Sequence, residues 1–378
     1  MESSLIKDFE SDFKNKTPSY IYDLDILYSE IQKIKTAAND FEICYAMKAN
    51  PILVQFIEPL VDRIEVCSEG EFLICQKLNI PANKIFFTGI NKSEESIKAA
   101  LQYGVTKFNA ESMTQFITLL SQKSDILIYP RLSSGNQFGI DDKELAEILK
   151  NHNYTKHIAG LHYFCGTFRD KKQRDDLQKL LSFTNQNQIN EIEYGPGFGT
   201  NYFDKDNYQD SEIRVRQLCD ELRIMKPNTK FIIEIGRLLV ANCGYYVTKI
   251  ADIKQNAEMN YVIVDGGINH LNYYGQMLGM KNPSVEHNKS GEAKNYCICG
   301  SICSTGDVLV RNIKLENPTI GDLLFFKNTG AYSGTESLFL FLSRSLPYIY
   351  SYNKGKFVQL RDKIETYLIN IGDQMWKN

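Results

Sequence analysis

Short apolar runs alternate with polar stretches of helical periodicity from about residue 41 to about residue 240. The first pair is an apolar run at 41–46 and a helical stretch at 51–60. The later apolar runs lie at 63–67, 84–88, 107–109, 126–132, 157–163, 191–194 and 230–235. This alternation is typical of β/α units. About eight such units in roughly 210 residues favour an α/β fold with one closed (β/α)8 barrel over an open sheet.

After about residue 240 the pattern changes to β-rich runs that are separated by Gly, Asn and Pro. These runs lie at 245–253, 260–264, 296–301, 308–313 and 323–327. The helix-poor segment Ser19–Asp23 precedes the first β/α unit, and we expect it to add a strand to this second, mainly β domain. The predicted bounds are therefore 26–245 for the barrel, with 1–25 and 246–378 forming the β domain.

Composition and charge narrow the classes of function. The 378 residues carry a net charge of −3 and the pI is about 6.0, so no global field favours a nucleic-acid polymer or an anionic membrane. The first residues are charged and no segment has 18 uncharged apolar residues, which predicts a cytoplasmic protein with no membrane partner. Nine scattered cysteines indicate reduced thiols, and no partners at zinc spacing surround Cys297, Cys299 and Cys303, so no metal site is predicted.

Lys48 lies at the end of the first apolar run, in the sequence Cys-Tyr-Ala-Met-Lys-Ala-Asn-Pro. In a (β/α)8 barrel, residues just past the strand C-termini face the active site. Burial next to an aldehyde lowers the pKa of a lysine and suits its amine to a Schiff base. The alternative interpretation is a surface lysine at a strand end.

Three further motifs offer chemistry, each beside a plainer interpretation. The glycine-rich run Tyr194–Thr200 would let backbone amides approach an anion, although such a run is more often only a turn. Glu234 and Arg237 form either a local ion pair or an acid that keeps a pyridine nitrogen protonated. Cys303 sits in a Ser/Thr/Gly turn with Asp307 four residues later, which makes its thiol a candidate proton donor, although most buried cysteines only pack.

Taken together and in order, these motifs resemble the fold type III pyridoxal phosphate decarboxylases, the group that includes diaminopimelate, ornithine and carboxynorspermidine decarboxylases. The resemblance spans about residues 20–350. The matching segments are Tyr45–Asn50, Cys67–Glu71, Gly195–Gly199, Glu234–Ala241, Asp265–Gly267, Cys303–Asp307 and Gly330–Ser333. The resemblance implies an alanine racemase-like barrel with a β domain, pyridoxal 5'-phosphate as cofactor, and decarboxylation of an α-amino acid.

The same resemblance implies roles for individual residues. Lys48 would form the internal aldimine with the cofactor, and Glu234 would face the pyridine nitrogen. The remaining pocket residues would be Gly195, Gly197, Arg237 and Tyr332 around the phosphate, with Glu65 and Arg131 lining the cofactor. Cys303 resembles the thiol that reprotonates the quinonoid carbon after carbon dioxide leaves. It would come from the partner subunit of a homodimer with shared active sites.

The chain differs from the family at the residues that contact the far end of the substrate. The family's arginine-containing segment for a distal carboxylate is replaced by 269–277, which has no arginine and leaves Tyr273 as a candidate substrate contact. The acid that follows the family cysteine is Ser304 here, and Asp307 is a candidate to compensate. These departures predict a conjugated substrate, such as an aminoacyl group on a carrier, whose far end is neither a plain carboxylate nor a plain ammonium.

The partner of the cofactor ring has two candidates. The family's His-x-Gly-Ser run reads Phe-Cys-Gly-Thr at 164–167, so Phe164 is favoured for stacking, and His162 is the second candidate. Two other functions stay open at this point. A racemase on the same fold would pair the pyridine nitrogen with arginine, against which Glu234 and Cys303 argue. A non-catalytic pyridoxal phosphate-binding protein of this type would lack the β domain.

Overall fold

The computed structural model describes residues 2–122, 125–167 and 170–372. In chain order the strands are β1 Ser19–Asp23, β2 Glu42–Ala46, β3 Arg63–Val66, β4 Ile85–Phe87, β5 Lys107–Ala110, β6 Leu127–Pro130, β7 Leu161–Phe164, β8 Glu191–Gly195, β9 Lys230–Ile235, β10 Gly244–Asn256, β11 Met259–Val264, β12 Val285–Glu286, β13 Ala293–Cys299, β14 Val308–Glu316, β15 Leu323–Lys327, β16 Tyr348–Asn353 and β17 Lys356–Arg361.

The α-helices vary from single turns to four or five turns. They are α1 Glu2–Asp12, α2 Leu24–Ala38, α3 Val54–Ile57, α4 Glu69–Lys77, α5 Glu94–Tyr103, α6 Met113–Leu120, α7 Asp142–Lys150, α8 His152–Thr155, α9 Asp170–Gln186, α10 Ser211–Met225, α11 Arg237–Val240 and α12 Tyr367–Asn370. None of these described helices is long and apolar enough to cross a membrane.

The chain divides into two compact units. One comprises Ile31–Gly199 and Gln209–Leu239, and the other comprises Met1–Glu30, Thr200–Tyr208 and Val240–Asn378. The first unit contains all of the strands from β2 to β9, and the second contains β1 and the strands from β10 onward.

The first unit is a nearly closed barrel of eight parallel strands. The strand order is β6-β5-β4-β3-β2-β9-β8-β7, and every neighbouring pair in it is parallel. Between β6 and β7 the contact consists of isolated parallel bridges, Ile128 with Ile158 and Arg131 with His162. The predicted (β/α)8 fold is confirmed, and the seam between β6 and β7 is its least regular part.

Serine side chains start three consecutive barrel helices. The Oγ atoms of Ser68, Ser93 and Ser112 accept a bond from the backbone amide three residues later, at 3.2, 3.0 and 3.2 Å. Each cap satisfies an amide that the helix itself leaves unpaired, and replacing such a cap by alanine costs about 1 kcal/mol. These serines therefore fix where each helix leaves its strand.

A cluster of charged side chains lies at the N-terminal end of the barrel interior. At the N-terminal ends of the strands, Arg63 bonds Glu42, Glu191 and Glu193 at 3.0, 2.9 and 2.9 Å. Tyr129 donates to Glu191 at 2.7 Å, which completes a closed polar cluster. In barrels of this kind the N-terminal end serves stability and the C-terminal end serves chemistry.

The second unit is a mixed sheet of nine strands, ordered β14-β13-β11-β10-β1-β16-β17 with β15 and β12 branching from β10. β1 pairs antiparallel with β10 and parallel with β16, so Ser19–Asp23 is a strand of this sheet. Helix α1 packs on this sheet through Leu5, Ile6 and Phe9. Neither α1 nor the β16–β17 hairpin was predicted.

Candidate active site

Lys48 lies in a 3-10 turn, Met47–Ala49, directly after β2. Its Nζ donates to Oε2 of Glu65 at 2.7 Å and to Oε1 of Glu234 at 3.1 Å. The Lys48 side chain is 32% exposed, whereas the two carboxylates are 3% and 2% exposed. Lys48 is therefore an amine at the barrel mouth that two buried acids hold in place, as its position after a strand predicted.

The register of three adjacent strands explains why these residues meet. In the parallel pairing, Ala46 lies opposite Glu65 on β3 and Cys44 lies opposite Glu234 on β9. Parallel strands deliver their C-terminal residues to one edge, so a lysine two residues past β2 lies above both acids.

Glu234 is the most strongly perturbed acid of the group. Burial works to raise its pKa, but the Lys48 ammonium and the His162 ring overcome burial and hold the pKa of Glu234 well below its usual range. His162 Nε2 lies 3.2 Å from Glu234 Oε2. The ligand atoms of Glu65, His162 and Glu234 lie within 4.8 Å of one another, a spacing that suits a cation, and Lys48 supplies one.

Cys67 is a second polar neighbour of Lys48 that the sequence motif contained but did not single out. Its Sγ lies 3.7 Å from the Lys48 amine and donates to Glu65 Oε1 at 3.3 Å. Thr88 also donates to Glu65 Oε1, at 2.8 Å. Burial raises the pKa of the Cys67 thiol well above its usual range, so the thiol stays a neutral donor that fixes Glu65.

Phe164 and His162 take different places, although both extend from β7. The Phe164 ring faces the Lys48 amine at 5.4 Å and the Arg131 guanidinium at 5.8 Å. His162 is only 2% exposed and both of its nitrogens face side chains in the barrel. This arrangement favours Phe164 as the ring partner and makes His162 a partner of Glu234.

Two glycines of the run at the end of β8, Gly195 and Gly197, have no room for a side chain. A Cβ at Gly195 would lie 2.4 Å from the Phe164 ring. Gly197 has φ of +64°, and a Cβ there would lie 1.7 Å from the carbonyl oxygen of Gly166. The loop thus presents bare backbone, as an anion site needs, and half-buried Arg237 begins α11 after β9. The phosphate roles of these residues stay predictions.

Three predicted residues of the β domain lie in one turn, between β13 and β14. Cys303 and Ser304 are exposed in the turn that follows β13. Asp307 is 2% exposed, and its carboxylate accepts the backbone amides of Ile268 and Ile302, both at 2.9 Å. Asp307 therefore shapes the turn that carries Cys303, and this burial does not favour the predicted contact between Asp307 and substrate.

The two predicted tyrosines differ in their surroundings. Tyr273 is buried, donates to the carbonyl of Lys327 at 2.6 Å and packs edge-on against Tyr202. Tyr332 is half-buried and has φ of +64°, a left-handed conformation that is rare for an aromatic residue. Such strain costs on the order of 1–3 kcal/mol and is concentrated at functional sites, which supports a role for Tyr332.

Sequence reasoning missed a buried polar group beside His162. It consists of Lys92, Asn109 and Glu111, and Arg131 NH1 bonds the Glu111 carboxylate at 2.9 and 3.2 Å. Asn109 lies on β5 between buried apolar residues, and Lys107, Asn109 and Glu111 follow each other at strand period. That alternation is a signal of side chains facing the barrel interior.

Burial of Lys92 predicts a pH-dependent stability. Desolvation lowers the pKa of Lys92 to about 7, partly opposed by Glu111, Cys67 and Glu65 and reinforced by Arg131. The unfolded chain keeps this proton up to its ordinary pKa of about 10.4, so folding is favoured as the pH rises from about 7 towards 10. In urea unfolding, the free energy of unfolding should increase more between pH 7 and pH 9 for the wild type than for Lys92→Met. An equal gain in both proteins would contradict the assignment.

Together, the barrel residues suit one chemical group. An amine held by acids fits an aldehyde, an anionic carboxylate fits a protonated pyridine nitrogen, the half-buried Phe164 ring fits a planar heterocycle, and a glycine-rich loop fits a phosphate. These features define the class of enzymes that use pyridoxal 5'-phosphate.

The comparisons with known proteins agree with that class. Residues 19–330 match the family described as pyridoxal-dependent decarboxylase, C-terminal sheet domain. The chain is 28% identical over 357 residues to the diaminopimelate decarboxylase of Aquifex aeolicus, covering 84% of this chain and 82% of that one. The chain belongs to the family of fold type III pyridoxal phosphate-dependent decarboxylases, and it is an amino-acid decarboxylase that uses pyridoxal 5'-phosphate.

Two other relatives act on larger molecules. The L-glutamyl-[BtrI acyl-carrier protein] decarboxylase of Niallia circulans is 27% identical over an alignment of 407 positions. The alignment covers 96% of this chain and 93% of that one. The 2-[(L-alanin-3-ylcarbamoyl)methyl]-2-hydroxybutanedioate decarboxylase of Staphylococcus aureus is 28% identical over 375 residues, covering 87% and 92%.

The fold is also that of a solved decarboxylase. The structure of diaminopimelate decarboxylase from Helicobacter pylori with L-lysine matches with a TM-score of 0.80 at 21% identity, covering 96% of each chain. The racemase and non-catalytic alternatives gain no support from these relatives, all of which are named decarboxylases.

Proposed function

We propose that this protein removes the α-carboxylate of an amino acid that is part of a larger conjugate. Lys48 holds the cofactor and Cys303 supplies the proton that replaces carbon dioxide. The coarser activity, decarboxylation of an amino acid with pyridoxal phosphate, follows from the family.

The barrel residues have separate tasks in this proposal. Lys48 would hold the cofactor through its amine, and the Gly195–Gly199 loop with Arg237 and Tyr332 would bind the phosphate. When bound, pyridoxal phosphate supplies an electron sink that accepts the electron pair left at Cα as carbon dioxide departs. Glu234 is kept anionic, which suits it to stabilise a protonated ring nitrogen. Phe164 would cover one face of the ring and exclude water.

Cys303 is assigned to the proton at Cα. Its thiol is exposed in a turn that Asp307 fixes from behind through two backbone amides. An exposed thiol on a turn whose backbone is held can reach a reacting carbon without reorganising the backbone, and general acid catalysis requires such positioning. We propose that the site is completed in a homodimer, with Cys303 of the partner subunit serving each barrel.

The observation that carries the substrate proposal is the absence of an exposed acid in the described turn 301–307. Ser304 replaces the family acid, and Asp307 cannot compensate because its carboxylate is buried and bonded to backbone amides. Arg344, which the sequence reasoning did not consider, donates to the carbonyl of Ser301 at 2.7 Å and adds a positive charge. A substrate with a free distal ammonium would therefore bind weakly at this turn, because no exposed carboxylate of the turn pairs with the ammonium.

Two of the relatives support a conjugate in particular. Their names specify an L-glutamyl group on an acyl-carrier protein and an alanine unit joined through an amide to a hydroxybutanedioate. Both names describe an amino acid whose far end is covalently extended. A far end of this kind needs room and neutral or basic contacts instead of a single acid.

The test is a substrate panel read by carbon dioxide release. It compares an L-glutamyl carrier-protein thioester and the amide-linked alanine compound with free meso-diaminopimelate, L-ornithine and L-lysine. We expect kcat/KM for at least one conjugate to exceed that for every free amino acid by roughly a hundredfold or more. Turnover of free meso-diaminopimelate or ornithine at an equal or higher rate would overturn the substrate proposal.

A matched pair of variants sharpens this panel. Ser304→Glu restores the family acid and should raise turnover of L-ornithine or L-lysine, because a carboxylate at that position pairs with the distal ammonium. Thr305→Glu places the same charge one residue further along the turn and serves as the control.

A further inference from the structure

Lys92 is a buried lysine for which the proposed chemistry has no use. It is 9% exposed, and its amine donates to the carbonyl of Gly89 at 2.5 Å and to Oδ1 of Asn109 at 2.7 Å. Gly89 has φ of +95°, and a Cβ there would lie 2.3 Å from the carbonyl oxygen of Cys67. The loop after β4 therefore has a backbone shape that aims this amine at Asn109.

The side-chain amide of Asn109 is held in one orientation by two partners, one of which donates a hydrogen bond and the other of which accepts one. Its Oδ1 accepts from Lys92, and its Nδ2 donates to Glu111 Oε1 at 2.7 Å. An amine beside Oδ1 donates and an ionised carboxylate only accepts, so turning the amide over would break both bonds. Glu111 is ionised, since Arg131 outweighs burial and holds the pKa of Glu111 below its ordinary value.

This orientation determines which nitrogen of His162 carries a proton. Asn109 Nδ2 has two hydrogens, and it lies 3.2 Å from His162 Nδ1 as well as beside Glu111. A donor facing Nδ1 requires a lone pair there, so the ring proton belongs on Nε2. Nε2 in turn lies 3.2 Å from Glu234 Oε2 and donates to it.

We propose that Lys92 and Asn109 are positioning residues that hold His162 as the Nε2–H tautomer and thereby keep Glu234 anionic and correctly oriented. The proposal rests on the proposed placement of Glu234 opposite the cofactor ring nitrogen. With the other tautomer, a ring lone pair would face the Glu234 carboxylate, and that repulsion would favour a protonated acid. A protonated Glu234 could not stabilise positive charge on the ring nitrogen.

The test measures the tautomer directly by 15N NMR of histidine-labelled full-length protein, with and without pyridoxal phosphate. The chain has five histidines, and His162→Gln identifies the resonances of interest. In the wild type we expect Nδ1 of His162 at the shift of an unprotonated nitrogen and Nε2 at that of a protonated one. In Lys92→Met and Asn109→Leu the 15N shifts of Nδ1 and Nε2 should move towards each other, because the ring exchanges between tautomers.

The same variants should change the chemistry through kcat more than through KM. We expect kcat to fall roughly 10–100-fold, the range for residues that orient the groups of a site. Lys92→Arg keeps a donor towards Asn109 and should restore both the shifts and kcat. Lys84→Met is the matched control, because the Lys84 amine donates to two backbone carbonyls, at 2.7 and 3.1 Å, and has no described bond to this group.

Two results would overturn the proposal. The first is a wild-type His162 with its proton on Nδ1 or on both nitrogens. This result is measured on the wild type alone, so a folding defect in Asn109→Leu does not affect it. The second is loss of kcat in Lys92→Met with unchanged His162 shifts, since that would indicate a purely structural role. The tautomer is measured without turnover, so its failure is distinguishable from failure of the substrate proposal.

Discussion

The variant Lys48→Ala is expected to lose the visible absorption band of the bound cofactor and to lower decarboxylation by more than roughly a thousandfold. The physical reason is that Lys48 is the amine held at the barrel mouth by Glu65 and Glu234, and methyl cannot hold an aldehyde. Absorption spectra of purified protein with added pyridoxal phosphate, together with carbon dioxide release, check both parts.

The control for Lys48→Ala must separate lost chemistry from lost charge. Removing the ammonium leaves two nearly buried carboxylates without their cation, which by itself destabilises the barrel mouth. Lys48→Arg keeps the positive charge but lacks a nucleophilic amine at neutral pH. We expect Lys48→Arg to be inactive while unfolding close to the wild-type denaturant concentration. A visible cofactor band that persists in either variant would assign the aldehyde to another lysine.

The variant Cys303→Ala is expected to lower kcat by roughly 10²–10⁴, the usual contribution of a positioned general acid. Cofactor binding should be retained, because none of the barrel groups changes. Cys299→Ala is the matched control, since Cys299 is a half-buried thiol of the same domain whose sulfur lies 3.7 Å from that of Cys297. Equal losses in the two variants would contradict a specific role for Cys303.

Mixing two inactive variants tests whether Cys303 acts across subunits. Mixed dimers of Lys48→Ala and Cys303→Ala would each have one site with both residues intact. Random assortment should therefore restore roughly a quarter of wild-type activity after the subunits are exchanged. No recovery from two folded, exchanging variants would mean that Cys303 serves its own chain or has no catalytic part.

The barrel and the meeting of Lys48, Glu65 and Glu234 were predictable from sequence for a geometric reason. Periodicity locates strands, and parallel strands deliver their C-terminal residues to one edge, so the position in a strand is enough to place a side chain. The contact of β1 with the β domain was predictable in the same way. Its pairing with β16 was missed, because the pairing joins residues more than 300 positions apart.

The features of the site that sequence pattern does not reveal share a different cause. Lys92 is in a loop, and its burial depends on the left-handed backbone of Gly89, which no local pattern reveals. Asp307 was read as a candidate for substrate, yet a partner of its carboxylate is the amide of Ile268, 39 residues earlier. The environments of Lys92 and Asp307 both depend on hydrogen bonds between distant parts of the chain. The pattern of apolar and polar residues indicates only which positions are buried and whether they belong to a helix or a strand.

The two acids around Lys48 also determine how the chain takes up its cofactor. An amine that is hydrogen-bonded to Glu65 and Glu234 is held as an ammonium, which has no lone pair with which to attack an aldehyde. The Lys48 amine would therefore pass a proton to a neighbouring acid before it attacks the aldehyde, and that acid could return the proton to the aldehyde oxygen as it leaves in water. Cofactor uptake would therefore release one molecule of water and no net proton, because the nitrogen that joins Lys48 to the cofactor would be protonated again, and acid conditions would slow uptake by keeping the amine protonated.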